Sequence, residues 1–255
     1  MNIQMMSKKG SNAAKVIYDN TNVKRAGNKV KVKPALLINY GVSSNVRQRL
    51  LSSNKLLNNV PVINAFCCYN KYKALSLVSG AGVNIPDSKR ELGKKDKPSE
   101  WLMKKDHSIG GKGIKIAIGK KKVDGRYYQR YVSKRKYEVR VHAFSWINKE
   151  NWVIQRRSGD SKTIAWNFSN GGRFSTIHNR NKVTTKVLDY SEKVLKKLKM
   201  EFGAIDLIVD ENDSVYFIEI NSSPGMNGLS DSIYINAFKK LFTISIDRLI
   251  KSLNH

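Results

Sequence analysis

Residues 205–225 read "IDLIVDENDSVYFIEINSSPG", an apolar, β-rich run interrupted by Asp206, Glu219 and Asn221. The segments "GAIDLIVD" and "SVYFIEIN" read as two strands joined by the turn "DEND", where turn-forming residues cluster. Strand side chains alternate between faces, so Glu219 and Asn221 share one face and Ile220 takes the other. Asp206 lies at a matching distance from the turn on the partner strand, so three oxygen-bearing side chains converge at one end of a hairpin. Carboxylates in such a run must be protonated, paired with cations or bound to a metal. Hard oxygen donors of this kind suit Mg²⁺ shared with phosphates, whereas a solvated face or pairing with Lys and Arg is the structural alternative. The acidic "DEND" is read as a plain hairpin turn in preference to a calcium loop.

The rest of the chain supplies context. Its 255 residues can bury a sizeable core, no apolar run reaches membrane-spanning length, and the start "MNIQMMSKKGSN" does not carry the apolar stretch expected of a secretory signal. Two adjacent cysteines, Cys67 and Cys68, have no metal-type spacing and suit a reducing cytoplasm. Forty-seven Lys and Arg against twenty Asp and Glu give a formal charge of +27. Such a field attracts polyanions, whether nucleic acid contacted nonspecifically, phosphorylated ligands or acidic polypeptides, without choosing among them.

Residues 1–33 read as a basic, partly ordered arm with a strand at "AKVIYD"; residues 34–68 read as a small α/β unit with strands at "PALLINYG" and "VPVINAF" around a helix at "SSNVRQRLLSSNKLL". A helix capped by Asn70 runs through "NKYKALSLVSGAGVNIP" to a Gly80–Gly82 stop. "EWLMKK" is a strand delivering Lys104 into a glycine loop with Gly110, Gly111 and Gly113, where backbone N–H groups can approach phosphate oxygens. It is neither a Walker-type loop nor a dinucleotide fingerprint, and a mobile hairpin tip is its structural alternative. "RYYQRYVS", "YEVRVHAFSW" and "NWVIQRRS" alternate like antiparallel strands, and "SKTIAWNFSNGGRFSTIHNRNK" reads as a polar loop region. "TTKVLDYSEKVLKKLKM" places Val187, Leu188, Ser191, Val194, Leu195 and Leu198 on one helical face, and a last helix runs through "INAFKKLFTISIDRLIKSL".

Taken in order, these pieces resemble the ATP-grasp superfamily, and most of all its RimK-type amino-acid ligases, over residues 34–250. "FGAIDLIVD…VYFIEINSSPGMNG" is similar to the family's closing D…E-V-N-x-S-P-G signature, and "RRSGDSKTIAWNFSNGGRF" resembles its RR…N-x-x-x-GG segment. "NKYKALSLVSGAGVNIP" and "LMKKDHSIGGKGI" resemble its lysine-bearing helix and its phosphate-covering loop. The resemblance implies an α/β fold of α+β lobes: a short pre-ATP-grasp piece followed by an ATP-grasp domain at 69–255, with a nucleotide lobe at about 86–135 and a catalytic lobe at about 136–255. It implies Lys71, Lys104 and the glycine loop on the nucleotide phosphates, with Lys105 a competing second lysine. It places adenine against Gln129, Arg130, Tyr131 and Val132, although the family usually carries an acidic residue where Arg130 stands. Glu138 matches the ribose position; Arg140, Arg156 and Asn167 match the reacting side, with Arg157 a neighbour of Arg156; Asp206, Glu219 and Asn221 match the metal ligands.

The implied activity is ATP-dependent ligation of a carboxylate to an amine through an acylphosphate, with two Mg²⁺ ions for which Mn²⁺ can substitute, adding an amino acid to a peptide, protein or small-molecule acceptor. The resemblance also favours a homo-oligomer, and the cysteine usage a cytoplasmic one. The competing readings are a basic nucleic-acid-binding scaffold built on the same fold and an ATP-grasp kinase that stops after phosphoryl transfer. The shortness of the N-terminal piece bears on where an acceptor would bind.

Overall fold

The computed structural model describes residues 1–27, 30–67, 70–108, 113–159, 164, 173–226, 228 and 230–245. The chain begins with strand β1 (Ile3–Ser7), helix α1 (Asn12–Asn20), β2 (Lys24–Arg25), β3 (Leu36–Tyr40), α2 (Ser44–Ser53) and β4 (Val62–Ile63). These strands pair in parallel in the order β2-β1-β3-β4. Parallel strands with covered faces read as apolar runs, and all five residues of "LLINY" are buried. Here the structure corrects the expected arm. Ile3–Ser7 is an inner strand of this sheet, and "AKVIYD" lies within α1. Ser11 caps that helix by accepting from the Ala14 N–H, and Ala13, Ala14 and Ile17 form its buried side.

Helix α3 (Lys71–Ser79) starts at the Asn70 cap and ends at Gly80. A four-stranded antiparallel sheet follows from β5 (Ser88–Lys89), β6 (Trp101–Lys105), β7 (Lys115–Ile116) and β8 (Arg126–Arg130), in the order β5-β8-β6-β7. The third sheet contains β9 (Arg135–Phe144), β10 (Val153–Ser158), β11 (Arg173–Ile177), β12 (Phe202–Asp210) and β13 (Val215–Asn221), in the antiparallel order β11-β10-β9-β12-β13. Arg173–Ile177 was expected within a polar loop and is instead an edge strand, with Arg173, Ser175 and Thr176 exposed. Helix α4 (Lys182–Leu198) separates β11 from β12, and α5 (Asp231–Lys240) follows β13. The last helix thus begins earlier than its sequence pattern suggests and gives way after Lys240 to a single 3-10 turn; residues 246–255 lie outside the described residues.

The third sheet positions the site. One face, carrying Val139, Val141, Ile154, Ile205 and Leu207, packs against the buried stripe of α4. That stripe contains Val187, Leu188, Ser191, Val194, Leu195 and Leu198. At the far end of the other face, Phe144 joins Phe202, Tyr234 and Phe238 in a cluster with Ile3, Ile38 and Tyr40 of the first sheet. "DEND" makes a tight hairpin turn: Asp210 accepts from the backbone N–H groups of Asn212 and Ser214, and Asp213 takes a φ of 58°. No helix among the described residues is long and apolar enough to cross a membrane.

Candidate active site

Register across the third sheet assembles the site. Glu219 on β13 pairs with Asp206 on β12, Asp206 with Arg140 on β9, Arg140 with Gln155 on β10, and Gln155 with Thr176 on β11. Directly paired residues share a face, so one row of polar side chains crosses all five strands. An adjacent row holds Glu138 beside Arg157 and Phe174. A register shift after Asp206 pairs Leu207 with Phe217, so Glu219 stays on the polar face while Phe217 stays in the core.

Asp206 is enclosed by two guanidiniums. Its Oδ1 accepts from Arg140 Nε at 2.7 Å and Arg157 Nη2 at 3.1 Å; its Oδ2 accepts from Arg140 Nη2 at 2.8 Å and Arg157 Nη1 at 3.3 Å. Burial opposes the charged form of this carboxylate, but the two arginines outweigh it and hold the pKa below the usual value. Glu219 meets the Lys71 ammonium at 2.5 Å, and Lys71 also donates to Ser108 Oγ at 3.2 Å. Asn221 Nδ2 donates to Glu219 Oε1 at 3.3 Å. Glu138 accepts from Arg135 at 2.7 Å and faces Arg157 at 3.8 Å; burial pushes its pKa up against the pull of these two cations.

The second sheet contributes Lys104, which is buried and donates to Gln129 Oε1 at 2.5 Å. Burial lowers its pKa to about 8, with the nearby Lys71 pushing the same way and Glu219 and Glu138 opposing. Lys105 points outward, where its side chain lies against Gly113 at a φ of +82°. The segment from Arg130 to Lys134 joins the two sheets. In it Arg130 N–H donates to the Asp87 carbonyl at 2.7 Å and Tyr131 N–H to the Glu100 carbonyl at 2.9 Å, and the exposed Arg130 side chain pairs with Glu100 at 3.0 Å. Tyr131 and Val132 are half-buried there. Gly110, Gly111 and Asn167 lie outside the described residues.

The two arginines of "RRS" are not equivalent. Arg156 is exposed, with its guanidinium 4.6 Å from the centroid of the Tyr137 ring, on the face away from Asp206. Arg157 is 7% exposed and occupies the site position expected of Arg156. Strand alternation held the signal, because Ile154 belongs to the core and Arg156 shares its face. Sequence reasoning also missed Arg135, Gln155 and His142. His142 is buried, its Nε2 is 3.0 Å from Gln155 Oε1, and its Nδ1 is 3.1 Å from the Tyr234 hydroxyl. The Gln155 acceptor fixes the proton on Nε2, so Nδ1 accepts from Tyr234. Burial drops the His142 pKa to about 4 and keeps the ring neutral.

The donor chemistry fits a hard divalent cation. Glu219 and Asn221 offer adjacent oxygens, and the Lys71 ammonium already stands against Glu219 as a cation would. Asp206 has its lone-pair directions filled by arginine, so it can join such an ion only when Arg140 or Arg157 turns away. Lys71, Lys104, Arg135, Arg140 and Arg157 outnumber the carboxylates of Glu138, Asp206 and Glu219, which leaves a local excess of positive charge for a polyphosphate.

Comparison with known proteins agrees with this architecture. The family described as the ATP-grasp domain matches residues 68–225, more than half of the chain. No curated protein sequence matches. Among solved structures, D-alanine–D-alanine ligase from Bacillus anthracis complexed with ATP superposes with a TM-score of 0.64 at 16% identity, covering 98% of both chains. The ATP-grasp ligase PsnB complexed with a minimal precursor gives 0.62 at 13% identity and 99% of both chains. The macrocyclase MdnC from Microcystis aeruginosa MRC, bound with precursor peptide MdnA, gives 0.61 at 9% identity, covering 96% of this chain and 100% of that one.

Proposed function

The chain belongs to the ATP-grasp family, and on that premise we propose that it is an ATP-dependent carboxylate–amine ligase of the RimK-like kind. One observation carries the reading: the row Glu219–Asp206–Arg140 lies beside Lys71, Lys104 and Arg157 and sets metal-type oxygens against phosphate-type cations.

In this reading Lys71 and Lys104 take the nucleotide phosphates. Gln129 to Val132 line the adenine site and Glu138 receives the ribose. Glu219 and Asn221, together with Asp206, are the residues that would hold magnesium. Bound there, Mg²⁺ would supply neutralisation of charge on phosphoryl oxygens. Arg140 and Arg157 donate to the transferring phosphoryl group and then to the acyl carbon's developing oxyanion. A substrate carboxylate takes the γ-phosphoryl group, ADP leaves, and an amine displaces phosphate to form the amide. Among the structural neighbours, MdnC is bound with a precursor peptide and PsnB is complexed with a minimal precursor, which supports a peptide as one of the substrates.

The test is thermal unfolding of wild type and Glu219→Gln with ATP, with and without Mg²⁺. A ligand that binds the folded state stabilises it by about 2.7 kcal/mol at a hundredfold excess over Kd. We expect a magnesium-dependent rise in wild type that is strongly reduced in Glu219→Gln. A wild type indifferent to magnesium and millimolar ATP overturns the reading. Product analysis then separates ligation, which releases ADP and phosphate, from a kinase, which leaves the phosphate on its product.

A further inference from the structure

The outer side of the second sheet carries a surface that the ligase reading does not use. Leu92 and Ala117 tuck beneath it and pack with Trp101, Met103 and Tyr128 in a small buried cluster. Met103 and Lys104 are consecutive residues of β6, so this cluster and the Lys104 ammonium lie on opposite faces of the sheet. Two loops leave the cluster side by side, residues 92–97 after β5 and 117–123 after β7. Leu92 N–H donates to the Lys120 carbonyl at 2.9 Å, Lys120 Nζ to the Lys94 carbonyl at 2.7 Å, and the Tyr128 hydroxyl to the Lys121 carbonyl at 2.8 Å. These bonds pin the loops to each other and to β8.

Positive charge collects on them. The first loop reads "LGKKDK" and the second "AIGKKKV", six lysines against one aspartate. That aspartate is already engaged: Asp96 accepts from Lys89 Nζ at 3.0 Å and from the Gly93 N–H at 2.7 Å. Glu91 and Asp124 stand only at the outer ends of the two loops. Lys94, Lys95, Lys97, Lys121 and Lys122 are exposed and make no ion pair among the described residues. A fixed backbone that holds like charges together favours a polyanionic surface as its partner.

Two further features select the polyanion. Ile118 is 87% exposed and Val123 39% exposed, so aliphatic side chains stand in water among the lysines. From residue 91 to 125 the chain has no arginine, and its one Phe, Tyr or Trp residue, Trp101, is buried. Nucleic acids are gripped by guanidinium forks and by exposed rings that stack on bases, and these loops offer neither. Lysines around aliphatic side chains match a bilayer, where ammoniums meet anionic headgroups and aliphatic groups enter the acyl boundary. We propose that the paired loops dock the protein peripherally on an anionic membrane surface. The Lys104 face of the sheet then stays turned away from the lipid. This inference does not depend on the ligase reading.

The test is co-sedimentation of the full chain with phosphatidylcholine vesicles, with and without phosphatidylserine, at physiological salt. The magnesium–ATP response is read on the same preparations. The variants are the triple Lys94→Gln, Lys95→Gln, Lys121→Gln and the single Ile118→Ser. A control triple, Lys182→Gln, Lys193→Gln, Lys197→Gln, removes the same charge from the exposed side of α4. Wild type is expected to bind only the vesicles that contain phosphatidylserine. The loop triple weakens that binding on the order of a hundredfold, from three lost lysine–headgroup attractions. Ile118→Ser weakens it about tenfold by removing the inserted aliphatic group. The control triple stays within about twofold of wild type, because screening over about 8 Å confines the attraction to charges at the lipid surface. Equal binding to both kinds of vesicle, equal losses in the two triples, or unaltered binding by Ile118→Ser overturns the docking surface. An unaltered Ile118→Ser together with polyuridylate binding that the loop triple loses assigns the loops to nucleic acid instead. All variants are expected to keep the magnesium–ATP response. Its absence in wild type removes the ligase reading and leaves the membrane contact standing.

Discussion

The two faces of the third sheet are built from alternate residues of the same strands, yet they do different work. On β9, Val139, Val141 and Ala143 are fully buried against helices α3 and α4, whereas Glu138, Arg140 and His142 turn to the other side. The first set contributes removal of apolar surface from water. The second set takes charged and polar groups out of water, which costs stability unless each is matched. Stability and chemistry are therefore separable by sequence parity, and the separation breaks where a charge on the polar face loses its partner.

The sharpest contrast comes from the core face. Phe217→Ala is expected to cost about 4 kcal/mol by opening a cavity, read from the urea midpoint of unfolding. Next comes Asp206→Asn, which leaves Arg140 and Arg157 facing each other without their shared carboxylate and is expected to cost about 3 kcal/mol. Adding Arg140→Met to that variant should restore part of the loss; a double mutant less stable than Asp206→Asn would show that the arginine contributes through packing instead.

Glu201 tests burial without a cationic partner. It accepts from the backbone N–H of Asn64, and burial raises its pKa from 4.5 to about 7. The folded state thus holds this proton more tightly than the unfolded state. The resulting stability is complete below pH 4.5 and is lost as pH rises through 7. Glu201→Gln should gain about 2 kcal/mol relative to wild type between pH 4.5 and 8, after discounting for partial exposure. A difference that stays flat with pH would rule this out. The smallest effect is expected at Arg156→Met, no more than about 0.5–1 kcal/mol from the lost contact with Tyr137. The same change at Arg157 should weaken the magnesium-dependent ATP response.

Much of this was legible because local and tertiary demands agreed. The stripe of α4 needed a single apolar face, and the hairpin around "DEND" carried its own turn chemistry, so both are where periodicity puts them. β1 escaped notice because "IQMMS" has few β-branched residues and no alternation; only its position between β2 and β3 buries it. "AKVIYD" carries strand-like residues, but the Ser11 cap and the apolar contacts of α1 prevail. β11 looked like a loop because an edge strand can be polar when it packs on one side only. In the site, acidic residues and lysines stand out by type within apolar or glycine-rich runs. His142, Gln155 and Tyr234 do not, because their roles depend on a helix that meets the sheet across a long stretch of chain.

One contact made across a still longer interval bears on how the molecule comes into being. Gly41 sits at a φ of +73°, and a side chain there would collide with Ser223, while the Tyr40 hydroxyl donates to the Pro224 carbonyl at 2.7 Å. The partners are 184 residues apart. During synthesis at about 5–20 residues per second, the first sheet waits roughly 10–40 s for the loop that seals its end. Over that interval the Tyr40 ring lacks the cover that residues 223–224 provide in the folded protein. The contact can form only after Pro224 is made, and it holds the turn behind Glu219 and Asn221.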